Sequence, residues 1–214
     1  MTEQADVTSP RTRNPWGQGE KLRTEILVAA ARLLSELGSE EGLTIRGVAR
    51  AVGIAPASIY QHFADKAELV RGLVAYDYDL LGARMHAADE SVPPEAVVAR
   101  LRAQMSAYCQ FAIDNPGHYR LIYNNRQAVP RERKIDLARS PLGQVVLRIV
   151  SAFERCEAAG HELRRPARQA AITVFVGAHG RVALHHAAPE DTESAAGIHS
   201  FVDDLISLVF ADEV

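Results

Sequence analysis

Apolar residues recur at helical spacing along most of the chain, whereas the alternation typical of strands never persists beyond a few residues. In residues 22–37, for example, Ile26, Ala30 and Leu33 lie on one stripe, and Gly38 follows where a helix would end. Similar spacing predicts helices near residues 22–37, 45–52, 56–63, 65–88, 93–113, 117–124, 142–158, 166–187 and 195–210. The pattern therefore predicts an all-α fold of about nine helices.

Residues 43–66 read LTIRGVARAVGIAPASIYQHFADK and contain two short helical patterns separated by a glycine. Thr44 is suited to cap the first helix, Gly53 to the sharp turn, and Pro56 to the first turn of the second helix. The residues expected to face the core are Ile45, Val48, Ala49, Val52, Ile54, Ile59 and Phe63. This order of helix, glycine turn and helix is typical of the helix-turn-helix motif, although plain helical packing produces it too.

Two further signals predict where helices begin. Asp65 and Glu68 have the spacing of a capping box, which opens the helix that follows the helix-turn-helix pattern. Pro93 and Pro94 are predicted to start the next helix, because proline suits the first turn.

The distribution of charge differs between the two ends of the chain. Of 214 residues, 47% are hydrophobic and 24% charged, and the net charge is -3. Residues 8–23 carry four basic and one acidic side chain, and residues 42–66 carry three basic and one acidic side chain, whereas residues 67–214 carry 16 basic and 19 acidic side chains. This asymmetry is expected if the N-terminal part alone meets phosphate, although scattered charges would give similar counts.

Other classes of protein find little support in the sequence. Cys109 and Cys156 lie far apart with no zinc-site spacing, and the N-terminal residues lack the apolar segment of a secretion signal. We therefore expect a cytoplasmic protein with reduced thiols, no membrane span, no catalytic residues and no cofactor. The cluster of His179, His185 and His186 leaves a metal-sensing body as an alternative, but no metal-binding residue is predicted.

The segment LTIRGVARAVGIAPASIYQHFADKAELV resembles the TetR family of bacterial transcription regulators. The resemblance rests on the turn Gly53-Ile54, on the recognition-helix pattern in residues 57–63, and on Lys66. It covers about residues 20–70 specifically. A weaker resemblance to one subclass lies in NPGHYRLIY at residues 115–123 and in FVGAHG at residues 175–180, where Phe175 stands in place of the usual Trp.

The resemblance implies a homodimer with an N-terminal three-helix helix-turn-helix domain and a larger C-terminal helical bundle. We expect a flexible arm at residues 1–18, a DNA-binding head at residues 19–65, and a ligand-binding and dimerisation body at residues 66–214. The residues expected to contact double-stranded DNA are Thr44, Arg46, Ala55, Ala57, Ser58, Tyr60, Gln61, His62 and Lys66. Arg46 is equally suited to read guanine or to bind only phosphate.

The body is expected to bind a small-molecule effector. Bulky or amphipathic residues on inward helical faces suit an apolar pocket with a few polar groups, although such residues also form plain core. The candidates are Tyr76, Met85, Met105, Tyr108, Cys109, Tyr119, Tyr123, Phe153, Phe175 and His179.

The two most C-terminal helices are unusually apolar, which indicates either core or a dimer interface. The resemblance favours a dimer interface, and the candidates are Ile172, Val176, Val182, Leu184, Ile198, Phe201, Val202, Leu205 and Val209. A dimer would place two heads on the two halves of an inverted-repeat operator. The leading interpretation is therefore a ligand-responsive transcriptional regulator that binds a palindromic operator as a dimer and is released by a small, largely apolar effector. The resemblance implies that it acts as a repressor. The alternative is a helical protein-interaction module without sequence-specific DNA binding.

Overall fold

The computed structural model describes residues 18–124, 140–187 and 195–211. These ranges contain nine α-helices, and their only β pairing is an isolated bridge between Leu163 and Phe210. The helices are α1 (Gln18–Leu37), α2 (Ile45–Val52), α3 (Pro56–Ile59), α4 (Lys66–Glu90), α5 (Val97–Asp114), α6 (Pro116–Asn124), α7 (Pro141–Ala158), α8 (Ala167–Ala187) and α9 (Ala195–Val209). The prediction of an all-α fold is confirmed.

The ends of the helices around the turn follow the capping chemistry predicted from the sequence. The Thr44 hydroxyl accepts a hydrogen bond from the Gly47 N–H at 3.0 Å and so caps α2. Gly53 ends the helix at φ 75°, a left-handed conformation that favours glycine. At the start of α4, the Asp65 carboxylate accepts from the Glu68 N–H at 2.7 Å.

Two helices differ from the prediction. The helix expected from residue 93 begins only at Val97, because a residue that precedes proline is disfavoured in the helical conformation and the Pro93-Pro94 pair lies in a turn. Of the helix expected over residues 56–63, only the part named α3 (Pro56–Ile59) is helical. Beyond it the His62 N–H donates to the Ile59 carbonyl at 2.9 Å, so the backbone tightens into turns before Phe63.

The buried side chains form two clusters that share α4. The head cluster packs α1, α2, α3 and the first half of α4, where Leu69 and Leu73 are buried. The body cluster packs α5, α7, α8 and α9 against the second half of α4, where Leu81 and Met85 are buried. Because α4 contributes buried residues to both clusters, it connects the packing of the head with that of the body. The predicted domain boundary at residue 65 stays a prediction.

Phe63 holds the end of the recognition segment, defined here as residues 56–63, against the rest of the head. Its ring is almost fully buried and lies under the Arg23 guanidinium, at 5.0 Å from the ring centroid. A Cβ added at Gly72 of α4 would lie 2.9 Å from Phe63 Cε1. Glycine at this position therefore allows the ring to lie directly on α4, which fixes the segment between α1 and α4.

Candidate nucleic-acid interface and body cavity

The nine side chains predicted to contact DNA all retain exposed surface. Ser58 and His62 are half-buried, and Tyr60 exposes 55% of its surface. The remaining exposed residues of this set are Thr44, Arg46, Ala55, Ala57, Gln61 and Lys66. Because Ile59 and Phe63 are buried, the recognition segment packs one side on the head cluster and presents its other side chains outward. These nine contacts themselves remain predictions.

Two side chains at the edge of this surface are held by the fold. The Lys66 ammonium donates to the Glu40 carbonyl at 2.9 Å, which ties the start of α4 to the loop between α1 and α2. Its other two N–H donors remain suited to a phosphate oxygen. The Thr44 hydroxyl accepts the capping bond described above, so its own O–H is suited to donate to phosphate. Arg11 and Arg13, the basic residues of the predicted flexible arm, lie outside the described residues.

The body encloses a small cavity of about 30 Å³ between α4, α5, α6, α7 and α8. It is lined by Tyr78, Leu81, Tyr108, Phe111, Ala112, Tyr119, Leu142, Val145, Phe175 and His179. Four of these, Tyr108, Tyr119, Phe175 and His179, are among the residues predicted to line a pocket. The volume holds about one water molecule, so a larger ligand must displace side chains on entry.

The other pocket candidates lie elsewhere. Four of the candidates, Met85, Met105, Cys109 and Phe153, are fully buried in the body cluster, and none of them lines the cavity. Tyr76 packs against the head cluster, and the side chain of Tyr123 lies outside the described residues. Helical spacing identified these residues as inward-facing but does not distinguish a cavity wall from continuous packing.

The polar groups of the cavity are uncharged near neutral pH. The Tyr108 hydroxyl and His179 Nδ1 are 2.7 Å apart, and the Tyr119 hydroxyl donates to the His179 carbonyl at 2.9 Å. Burial lowers the pKa of His179 and raises the pKa of Tyr108 well above its usual value, and burial raises the pKa of Tyr78 to about 12. Such a lining suits an apolar molecule that carries one hydrogen-bonding group.

A buried polar junction connects α6 to α1 and α4. His118 Nδ1 lies 2.7 Å from Asp77 Oδ1 of α4, and His118 Nε2 lies 2.8 Å from Ser35 Oγ and 3.1 Å from the Ala31 carbonyl of α1. Burial raises the pKa of Asp77, while the hydrogen bond and charge of His118 oppose that rise. Asp77 Oδ2 is buried without a hydrogen-bond partner in the described part of the chain.

The backbone of α6 approaches α1 closely at the same place. A Cβ added at Gly117 would lie 2.8 Å from the Leu34 carbonyl oxygen, so a larger residue would push the two helices apart. Sequence reasoning did not identify Asp77, Gly117 or His118 as functional. The NPGHYRLIY resemblance indicated a helix at this position, but it carried no information on contacts with residues 31–35 or 77.

The adjacent residues His118 and Tyr119 face different parts of the molecule. His118 meets α1 and α4 at the junction just described, whereas Tyr119 lines the body cavity and bonds to α8. Two adjacent residues of α6 therefore connect the cavity lining with the packing of α1 and α4.

The candidates for a dimer interface divide into exposed and buried residues. Val182, Ile198, Val202 and Val209 are buried inside the protomer and leave almost no side-chain surface for a partner; their hydrophobic character is explained by the body cluster. Leu205 is half-buried and packs on Gly177, where an added Cβ would lie 2.3 Å from Leu205 Cδ1. The candidates that are exposed are Ile172, Val176, Leu184 and Phe201.

The described residues contain neither a metal-binding cluster nor a membrane-spanning helix. No group of three or more His, Cys, Asp or Glu side chains in the described ranges is arranged to hold a metal ion. In the histidine cluster, His186 Nε2 lies 2.9 Å from the Ala112 carbonyl. This hydrogen bond to α5 accounts for the position of the His186 ring without a metal ion. None of the helices described in the structure has both the length and the apolar composition to cross a membrane.

Comparison with family models and solved structures gives consistent matches. Residues 26–73 match the model described as bacterial regulatory proteins of the tetR family, and residues 101–206 match the tetracyclin repressor-like C-terminal domain. A protein of unknown function from Rhodococcus sp. RHA1 is 24% identical, with a TM-score of 0.72 over 91% of this chain and 97% of that chain.

Two further solved structures have similar folds. A tetR-family transcriptional regulator from Streptomyces coelicolor has a TM-score of 0.64 and 20% identity, over 87% of this chain and 79% of that chain. The fatty acid degradation regulator FadR from Bacillus halodurans has a TM-score of 0.64 and 13% identity, over 92% of this chain and 97% of that chain. At these identities the structural matches support the fold, and the family models support membership.

The junction between α6, α1 and α4 predicts a large loss of stability on removal of His118. His118→Ala is expected to lower the free energy of unfolding by about 3 kcal/mol, because it leaves the buried Asp77 carboxyl without its partner. The measurement is urea unfolding followed by circular dichroism. Combining His118→Ala with Asp77→Asn should cost less than the two single changes added together, because they remove the same interaction.

His199→Ala is the matched control, since the half-buried His199 lies within hydrogen-bond distance of Ser106 and Gln110. It is expected to cost about 1 kcal/mol or less. A loss for His118→Ala no larger than that of the control would contradict a structural role for the junction.

Proposed function

We propose a function for this chain, which belongs to the TetR family of bacterial transcription regulators. It is a cytoplasmic repressor that binds a palindromic operator as a dimer. A small apolar effector that enters the body cavity then releases the protein from DNA. The observation that carries the proposal is the recognition segment, whose buried residues fix it to the head while all nine predicted DNA-contact side chains retain exposed surface.

The chemistry of this surface supports DNA as the partner. The small residues Ala55, Ala57 and Ser58 allow the start of the segment to approach the floor of a major groove, and Gln61 is suited to a base edge. Tyr60, together with the anchored Lys66, is suited to phosphate, which fixes the register of the protein on the duplex.

A dimer is supported by an apolar stripe on α8, defined by Ile172, Val176, Gly180 and Leu184. These residues are four positions apart and all are exposed, and an added Cβ at Gly180 would meet no atom within 4 Å. Exposed Phe201 and Leu208 of α9 extend the apolar surface. One recognition segment offers few base contacts, whereas two, held by a symmetric dimer, read both halves of an inverted repeat.

Release by an effector is supported by the position of α6 between cavity and head. A ligand larger than the cavity must move its lining, and Tyr119 connects that lining to the helix that carries His118. We infer that this movement shifts α6 and the shared helix α4, which changes the separation of the two heads. A differential affinity of about 1–3 kcal/mol suffices for a roughly 5- to 150-fold change in DNA binding.

The DNA-binding part of the proposal is tested by selecting duplexes from a random library with the purified chain. An inverted repeat is expected, with half-site centres about one helical turn, or roughly 34 Å, apart or a multiple of that. Lys66→Ala is expected to weaken binding of the best sequence and to reduce the salt slope by about 1, because one phosphate contact is lost. Arg168→Ala removes an exposed positive charge on α8 and should leave both quantities unchanged.

If the folded, dimeric chain enriches no DNA sequence, the proposal is contradicted. The helical protein-interaction module then becomes the better interpretation. Equal losses for Lys66→Ala and Arg168→Ala would also contradict it, since only general electrostatic attraction would remain.

The dimer surface predicts that Val176→Asp dissociates the protein into monomers. The change places a carboxylate in the centre of the apolar stripe, where dimer formation would bury it without a partner. Sedimentation at micromolar concentration measures the result. Val28→Asp is the control, because Val28 is similarly exposed but lies on α1 of the head; its variant should remain dimeric. A dimer that tolerates Val176→Asp would place the interface elsewhere.

A further inference from the structure

A second cavity lies at the far end of α4 from the head, between α4, α5 and α7. Its volume is about 340 Å³, which falls in the range of about 300–1,000 Å³ typical of small-molecule sites. Its lining is mostly polar and consists of His86, Asp89, Gln104, Gln144, Leu147, Arg148, Ser151 and Arg155. None of these residues lines the apolar body cavity described above, so the two cavities differ in both place and chemistry.

The carboxylate of Asp89 in this cavity is already fully engaged. Its Oδ1 accepts from Gln104 at 2.6 Å and from Arg155 at 2.7 Å, and its Oδ2 accepts from Arg100. Burial alone would raise the pKa of Asp89, but the bonds from Arg100 and Gln104 and the charges of Arg155 and Arg100 lower it. Asp89 therefore stays ionised and acts as the anchor that positions two arginines.

Positive charge exceeds negative charge at this place. Arg100 and Arg155 both pair with the buried carboxylate of Asp89, and Arg148 lines the same cavity. The neighbouring Glu90 has its Oε1 at 3.4 Å from Nε2 of His86. Arg148 crosses α4 at the buried Gly82, where an added Cβ would lie 3.5 Å from its Nε. No carboxylate in the described ranges forms an ion pair with Arg148.

The arginines also carry unused hydrogen-bond donors. The Nε atoms of Arg100 and Arg155 are buried and have no acceptor among the described residues. Buried donors without partners are uncommon, because each loses its bonds to water without compensation. The Arg155 side chain nevertheless remains 41% exposed and lines the cavity together with Arg148 and the hydroxyl of Ser151.

We propose that this cavity binds an oxyanion, a phosphate or carboxylate group of a small molecule, through Arg148 and Arg155. The guanidinium fork matches the geometry of two oxygens, and the fully engaged Asp89 holds Arg155 in place without neutralising Arg148. The site is independent of the DNA-binding proposal. It includes the last turns of α4, so a bound anion would connect α4 to α7.

The test is isothermal titration of the full chain with inorganic phosphate and, separately, with acetate. Saturable binding of at least one anion is expected, with a dissociation constant of about 1 mM or below. Arg148→Gln is the main variant, because Arg148 is exposed and unpaired in the described structure, and it should weaken that binding about tenfold. Stronger binding of phosphate or of acetate would tell which group the site prefers.

Two controls separate this cavity from other positive surfaces. Arg168→Gln makes the same charge change on α8, and Lys66→Ala alters the predicted DNA interface; both should leave anion binding unchanged. The absence of saturable binding to the folded wild type would overturn the proposal. Equal weakening by Arg148→Gln and Arg168→Gln would overturn it too, and loss of binding in Lys66→Ala alone would place the anion at the head.

Discussion

The arrangement of the whole molecule depends on one buried contact, in which His118 of α6 lies between Asp77 of α4 and the C-terminal part of α1. Asp77 is fully buried and His118 almost fully buried, so these polar groups depend on partners close by inside the fold. The close approach of Gly117 to the Leu34 carbonyl leaves little room for a different position of α6. The head therefore has a defined position relative to α6.

The shared helix α4 passes through this contact on its way from the head to the body. Leu69 and Leu73 of α4 belong to the head cluster, whereas Leu81 and Met85 belong to the body cluster. Asp77 lies between them, at the level where α6 touches α4. The cavity residue Tyr119 follows His118 on the same helix, so the apolar cavity and the recognition segment are connected through packed side chains.

The sequence predicted the parts of the fold that depend on local chemistry. Thr44, Gly53 and Asp65 are each explained by neighbours within a few residues, and for that reason their roles as helix caps were predicted correctly. The predicted start of α5 at residue 93 was wrong, because Pro94 disfavours the helical conformation in the residue before it. The helix expected over residues 56–63 was too long, since its second half forms turns.

The residues that determine the candidate sites could be predicted only in part. Exposure of the recognition segment follows from the burial of Ile59 and Phe63, which the helical pattern indicates. The lining of the cavity depends on how five helices pack, so spacing alone selected Phe153 and Met105 as readily as Tyr108. His118 and the arginines around Asp89 gain their significance from contacts across 11 to 87 positions of sequence, which no local pattern encodes.

The most direct test of the connection between cavity and head is to fill the cavity without a ligand and to measure affinity for the selected operator. Ala112→Met enlarges a residue that lines the cavity, whereas Ala152→Met overpacks a buried position of the same cluster away from it. Ala112→Met is expected to weaken operator binding about fivefold or more, and Ala152→Met, at a similar cost in stability, should leave it unchanged. Unchanged operator affinity in a folded, dimeric Ala112→Met variant would contradict the account.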